Sequence, residues 1–225
     1  MDGILVIDKP AGMTSHDVVD CIRSIARQRR VGHAGTLDPE ATGVLIMLLG
    51  KATSLFEDMK KTQKEYIAGM KLGITTTTQD AWGEKLTETT GIKIEEAEVH
   101  AALERFRGRI TQIPPMVSAI KHKGKSLYKF AREGQVIERQ PREIEIFALD
   151  MLIFDPERQE ASLRIVCSSG TYIRTICADI GDVLGVGAHM CSLRRTRVGD
   201  FSIDEAVPLK VLGKEIMIED RLKVV

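Results

Sequence analysis

Aromatic side chains are scarce. Ten of the 225 residues are Phe, Tyr or Trp, too few for an RNA-binding sheet paved with stacking rings. The four cysteines, Cys21, Cys167, Cys177 and Cys191, contain no Cys-x-x-Cys pair. That disfavours structural zinc and a disulfide framework, and free thiols fit a reducing cytoplasm. The five histidines, His16, His33, His100, His122 and His189, include no pair at metal-ligand spacing. Neither Gly-x-Gly-x-x-Gly nor Gly-x-x-x-x-Gly-Lys-Ser/Thr occurs, which removes support for dinucleotide and P-loop nucleotide binding. The longest apolar run, Val44 to Leu49, is far short of the ~20 residues a membrane helix needs. The first residues carry no basic stretch leading into a long apolar one, so no secretory signal is visible. The expectation is a soluble, cytoplasmic, globular protein.

Net charge is absent too: Lys plus Arg equals Asp plus Glu at 32 each. The distribution is uneven. Arg105 to Arg142 holds ten basic residues and two acidic ones, a net of +8, whereas Asp80 to Glu104 holds seven acids and two lysines, a net of −5. Two more basic clusters are Arg23, Arg27, Arg29 and Arg30, and Arg194, Arg195 and Arg197. Any one run by itself reads more readily as a solvated face. Three on a neutral chain point towards a polyanion, since phosphates are held mainly by Lys and Arg.

Periodicity predicts a strand at Ile4 to Ile7, and a helix capped by Thr14 or Ser15 with Val18, Val19, Ile22, Ile25 and Ala26 on its apolar face. A glycine-bearing loop from Val31 to Pro39, a buried strand from Val44 to Leu49 and a short amphipathic helix from Ala52 to Lys61 follow. Glu65 to Leu72 reads as extended, Thr75 to Gly91 as a polar loop, and Glu95 to Gly108 as a helix. A short helix is expected around Leu127 to Ala131, then strands from Ile144 towards Phe154 and over Ala161 to Cys167. A helix over Gly170 to Leu184 and a last strand near Met190 to Val198 complete the pattern. Without strict βαβ alternation, the class is α+β with a mixed, mostly antiparallel central sheet flanked by helices.

Special residue types are densest in Gly32-His33-Ala34-Gly35-Thr36-Leu37-Asp38-Pro39-Glu40-Ala41-Thr42-Gly43. Asp38 before Pro39 can cap a turn or short helix. A carboxylate displayed on a stiff loop can equally be a nucleophile or general base, and the pattern alone leaves both open.

The stretch from Val31 to Val44 resembles the catalytic motif of the bacterial tRNA pseudouridine-55 synthases, the TruB family. Lys9-Pro10-Ala11-Gly12-Met13-Thr14-Ser15, Pro114 to Lys121 with Gly124 to Tyr128, Ser169 to Thr175 and Leu193-Arg194-Arg195 match further motifs in family order. The resemblance spans about residues 4 to 207 and implies a pseudouridine synthase fold. It implies an isomerase that flips one uridine of the tRNA T loop out of its stack, detaches the base at N1 and rejoins it through C5. No cofactor, metal, membrane or obligatory protein partner is expected. Asp38 matches the family nucleophile or its equivalent, with sugar attack, base attack and a glycal route all open. Arg174 matches the arginine that keeps this carboxylate charged.

By the same resemblance Tyr66 stacks on the flipped base and is a candidate for proton transfer, though on pattern alone it reads as a half-buried strand aromatic. Tyr172 and Leu193 match substrate-pocket positions, and His33 the residue that fills the space the uridine leaves. Lys9, Pro10 and Lys121 match supporting positions. Val117 stands where the family usually has an aromatic. Residues 1–225 are expected to form a single catalytic domain with an inserted RNA-contacting subregion near 75–140. No complete C-terminal PUA-type module is expected. Two other readings are a non-catalytic tRNA-binding protein and a guide-RNA-dependent synthase.

Overall fold

The computed structural model describes residues 1–118, 121–122, 125–127, 130, 133, 135 and 137–223. Two compact units are present: Met1–Ile67 with Leu193–Val225, and Ala68–Ser192. In chain order the elements are β1 (Gly3–Lys9), α1 (Ser15–Ala26), β2 (Val31–Ala34), β3 (Thr42–Leu49), a 3-10 helix (Gly50–Leu55), α2 (Phe56–Lys61) and β4 (Lys64–Leu72). Then come β5 (Ile74–Thr76), β6 (Lys85–Glu88), α3 (Glu96–Glu104), β7 (Gly108–Gln112), β8 (Lys121–His122) and β9 (Lys125–Ser126). Next are β10 (Arg142–Asp155), β11 (Glu160–Cys167), α4 (Ile173–Val183), β12 (Ala188–Val198), β13 (Phe201–Ser202), a 3-10 turn (Ile203–Glu205) and β14 (Val207–Pro208).

In the first unit β1 and β3 pair antiparallel from Gly3 opposite Leu49 to Lys9 opposite Gly43. Both strands are apolar at nearly every position because each face of the pair has its own core. Leu5, Ile7, Leu45, Met47 and Leu49 pack with Val18, Val19 and Ile22 of α1. Ile4, Val6, Val44, Ile46 and Leu48 pack on the other side with Ala34, Ala52 and Val198. A strand covered on both faces reads as a continuous apolar run rather than an alternation. Thr14 caps α1 by accepting from the Asp17 amide, while the Asp17 carboxylate accepts from the Thr14 amide at 2.7 Å. This reciprocal box fixes where the chain leaves the Lys9–Met13 turn.

In the second unit β10 pairs antiparallel with β11 on one side and β7 on the other. In β11 every second residue is buried, so one face packs on the core and the other is partly solvated. In the larger sheet β14 pairs parallel with β1 and β12 parallel with β3, both within the first unit. The sheet is mixed and mostly antiparallel, in the α+β class expected.

Several boundaries differ from the sequence reading. The glycine-bearing segment after Val31 begins as a strand: β2 pairs with β3, His33 opposite Met47. That pairing comes from residues 12 to 18 positions away, which local propensity does not register. The Thr-rich segment is a hairpin, with Thr75 opposite Thr87. Helix α3 stops at Glu104, because the chain turns there and Gly108, at φ +81°, opens β7. The short helix expected around Leu127 to Ala131 falls at Tyr128, Lys129 and Ala131 outside the described residues, as do Ala119, Ile120 and Gly124 of the matched motifs. Lys121 begins β8, and its side chain is outside the described residues.

Candidate active site

Asp38 lies on the loop between β2 and β3, partly exposed, and its carbonyl accepts from the Ala41 amide at 3.1 Å to close a turn over Pro39 and Glu40. Among the described residues three side chains hold the backbone of this loop. At its start the Arg195 guanidinium, 1% exposed, donates from Nη2 to the Gly35 carbonyl at 2.9 Å and from Nε to the Val44 carbonyl at 2.7 Å. In the middle the Ser15 hydroxyl donates to the Leu37 carbonyl at 3.1 Å and accepts from the Leu37 amide at 2.9 Å. At its end the Lys9 ammonium donates to the Pro39 carbonyl at 2.8 Å and also to Pro10 and Met13 at 2.8 and 2.6 Å. Lys9 is fully buried, and that burial lowers its pKa from 10.5 to about 8, against the opposing pull of Glu40 and Asp38.

Arg195 reaches the loop because β12 runs parallel to the start of β3, Arg194 opposite Thr42 and Arg195 opposite Gly43. Gly43, at φ +100°, lies against the Arg195 backbone so closely that any Cβ would collide with it. Arg194 makes a two-pronged ion pair with Asp8 of β1, at 2.9 and 3.1 Å. Two of the three arginines in this basic cluster therefore already hold partners inside the first unit. Leu193 precedes them, half-buried, its carbonyl 3.5 Å from the Thr42 hydroxyl. His33 is held neutral-leaning by burial and then by the Arg195 and His16 charges, all lowering its pKa. Its Nδ1 has no hydrogen-bond partner among the described residues. Tyr66 is buried on β4, two residues from Lys64, whose ammonium donates to the Lys60 and Thr62 carbonyls at 2.6 and 2.5 Å.

In the second unit Tyr172 and Arg174 stand at the start of α4. The Gln112 side chain grips the Tyr172 backbone, accepting from its amide at 2.9 Å and donating to its carbonyl at 3.1 Å. Arg174 is buried and pairs with the buried Asp80 carboxylate at 3.1 Å. The other oxygen of Asp80 accepts from the Thr78 hydroxyl at 2.6 Å and the Trp82 amide at 3.2 Å. Sequence reasoning did not single out Asp80 or Gln112. Their partners lie 94 and 60 positions away, and Asp80 sits in a segment that reads as a polar loop. The structure thus groups Lys9, Pro10 and the Asp38 loop in one unit, and Tyr172 with Arg174 in the other. Among the described residues no group of three or more His, Cys, Asp or Glu side chains is placed to hold a metal ion. No helix among them is long and apolar enough to cross a membrane.

The model of the TruB family pseudouridylate synthase N-terminal domain matches residues 23–173, and that of the tRNA pseudouridylate synthase B C-terminal domain matches residues 174–223. The chain is 46% identical over 223 residues to tRNA pseudouridine synthase B of Thermobifida fusca, covering 96% of this chain and 76% of that protein. It is 50% identical over 212 residues to that of Syntrophomonas wolfei, covering 93% and 71%. Among solved structures, a chain of a Cbf5-Nop10-Gar1 complex superposes with a TM-score of 0.74 at 33% identity, over 94% of this chain and 53% of that one. A chain of an H/ACA RNP bound to a substrate RNA containing 2′-deoxyuridine gives 0.70 at 29%, over 94% and 52%. The chain spans about half the length of these two solved chains.

Proposed function

The chain belongs to the TruB family of pseudouridylate synthases, and from that premise we propose that it converts uridine 55 in the T loop of tRNA to pseudouridine. In this reading it acts in the cytoplasm, without a protein partner, as a catalytic domain with an RNA-contacting subregion near 75–140. The observation that carries the proposal is the threefold fastening of the Asp38 loop by Arg195, Ser15 and Lys9. Such fastening suits a carboxylate that must meet a reacting atom in one geometry, since orientation supplies a large part of the rate.

The reaction is balanced within the substrate. The N1–C1′ bond breaks, the uracil turns, and a C5–C1′ bond forms; C5 loses a proton and N1 gains one. No redox partner is needed. Asp38 is the proposed nucleophile or its equivalent, and Arg174 the guanidinium that favours its charged form. Tyr66 is proposed to stack on the flipped base and to move the proton, with Tyr172 and Leu193 lining the base pocket. Lys9, Pro10 and Lys121 support them. His33 is proposed to fill the space the uridine vacates; the partial burial that lowers its pKa favours an imidazole that brings no charge into a base stack.

Identity of 46 and 50% to enzymes named tRNA pseudouridine synthase B, against 33 and 29% to the Cbf5 and H/ACA chains, supports the stand-alone form. The test is to incubate purified protein with unmodified tRNA transcript and map pseudouridine. Product at position 55 without additions is expected. Binding without product, or product only with a guide RNA and partner proteins, would overturn it.

A further inference from the structure

Trp82 is the only tryptophan of the chain, and it is 52% exposed on the turn between β5 and β6. A lone exposed apolar residue is ordinary. This one stands on a turn braced by several hydrogen bonds. The buried Asp80 carboxylate accepts the Trp82 amide on one oxygen and the Arg174 guanidinium on the other, so a single side chain joins this turn to the head of α4. The Ala81 amide donates to the Met190 carbonyl at 2.9 Å, and the Gly83 amide to the Asp80 carbonyl at 3.3 Å. The Thr77 amide donates to the Glu84 carbonyl at 2.9 Å, and any Cβ on Gly83 would strike Thr78.

Resting on the reading that Arg174 belongs to an RNA-modifying site, we infer that Trp82 is a substrate-binding residue. Its ring is the platform on which an unpaired nucleobase of the bound RNA, other than the reacting uridine, stacks. Aromatic rings take unstacked bases of single-stranded loops in this way, and every base offers a π-face. The surroundings favour a base over a protein partner. Thr75, Thr77, Thr78, Lys85, Thr87 and Glu88 flank the ring in sequence, and Leu86 is the other large exposed apolar side chain of the hairpin; two such side chains fall well short of the area a stable protein interface buries. A platform on a braced turn loses little freedom when the base arrives.

Because Trp82 is the sole tryptophan, its emission reports on the ring alone. A T-arm hairpin RNA titrated into the wild-type protein should quench that emission, in step with binding measured separately by filter retention. Trp82→Ala should raise KM by about tenfold with kcat within twofold, in the range that one base–aromatic stack supports. Trp82→Phe should recover most of the loss. Unchanged emission at RNA concentrations that saturate the filter assay overturns the inference, and so does a KM for Trp82→Ala within twofold of wild type. Quenching without pseudouridine formation by the wild-type protein would sink the isomerase reading and leave the stacking contact standing.

Discussion

Replacing Lys9 by Met separates the stabilising role of its ammonium from its positioning role. Met fills nearly the same volume but donates nothing, so the carbonyls of Pro10, Met13 and Pro39 lose a charged donor. Pro39 keeps the Gly12 amide at 3.1 Å, which leaves two acceptors to be re-satisfied. Pro10 is exposed, so water can replace the donor at its carbonyl; at about 1–3 kcal/mol for a buried unpaired group, the loss at half-buried Met13 is roughly 1–3 kcal/mol. Opposing it is the burial of the ammonium, expressed in a pKa of about 8 instead of 10.5. That depression corresponds to about 3 kcal/mol at neutral pH, which the substitution releases. The two effects nearly cancel, so Lys9→Met should lie within about 3 kcal/mol of wild type by urea unfolding. Catalysis should not be spared. With one end of the Asp38 loop unfastened, a displacement near 1 Å is enough to lower the rate about a hundredfold. Single-turnover conversion of a T-arm hairpin reads that rate directly. A rate within threefold of wild type would refute the positioning role, and destabilisation beyond 5 kcal/mol would show that Lys9 acts mainly as a structural residue.

The unfolded chain holds the Lys9 proton up to pH 10.5, while the folded chain releases it near 8. Between these values the unfolded state binds more protons, so wild type should gain stability relative to Lys9→Met as pH rises through the window; parallel urea curves at pH 7.5 and 10 check it. Asp38→Asn should lose at least a thousandfold in turnover while still folding and binding tRNA, and retention within tenfold would end its assignment. Arg174→Lys should lower kcat at least tenfold, because lysine keeps the charge without the planar fork. Arg174→Met should also cost about 3 kcal/mol or more by leaving Asp80 buried without its countercharge, measured by urea unfolding. Gly43→Ala should destabilise by roughly 2–5 kcal/mol, since φ +100° and the Arg195 backbone both oppose a Cβ; a loss under 1 kcal/mol would contradict the close approach of β3 and β12.

What was legible in the chain was whatever is decided locally or by periodicity. Helix α1 announces its cap in Thr14 and Asp17, and its buried face in Val18, Val19 and Ile22. The run Val44 to Leu49 announces a buried strand, because both faces of β3 have cores. The Asp38 segment stands out through its residue types. What holds that segment does not. Ser15 reads only as a helix cap, and Arg195 as part of a basic cluster, yet Arg195 spends its donors, and Ser15 both its donor and its acceptor, on loop backbone. The β5–β6 hairpin is hidden because its threonines carry no apolar alternation. The pairing of Arg174 with Asp80 joins residues that no local pattern links.

The hold of Arg195 on the Asp38 loop also sets an order of events during synthesis. Val44 and Gly35 leave the ribosome 151 and 160 residues ahead of the arginine that binds their carbonyls. At about 5–20 residues per second, the loop waits roughly 8–30 s for its fastening. Through that interval β1, α1 and β3 can already pair and pack, since their contacts are close in sequence. The stretch carrying Asp38 lacks the guanidinium that ties its two flanks together. Contacts of such separation are closed late, against the entropy of a long intervening chain. The nascent chain therefore carries its carboxylate long before that residue is held in working geometry, and a ribosome that stalls within the second unit releases a fragment whose Asp38 loop is never fastened by Arg195.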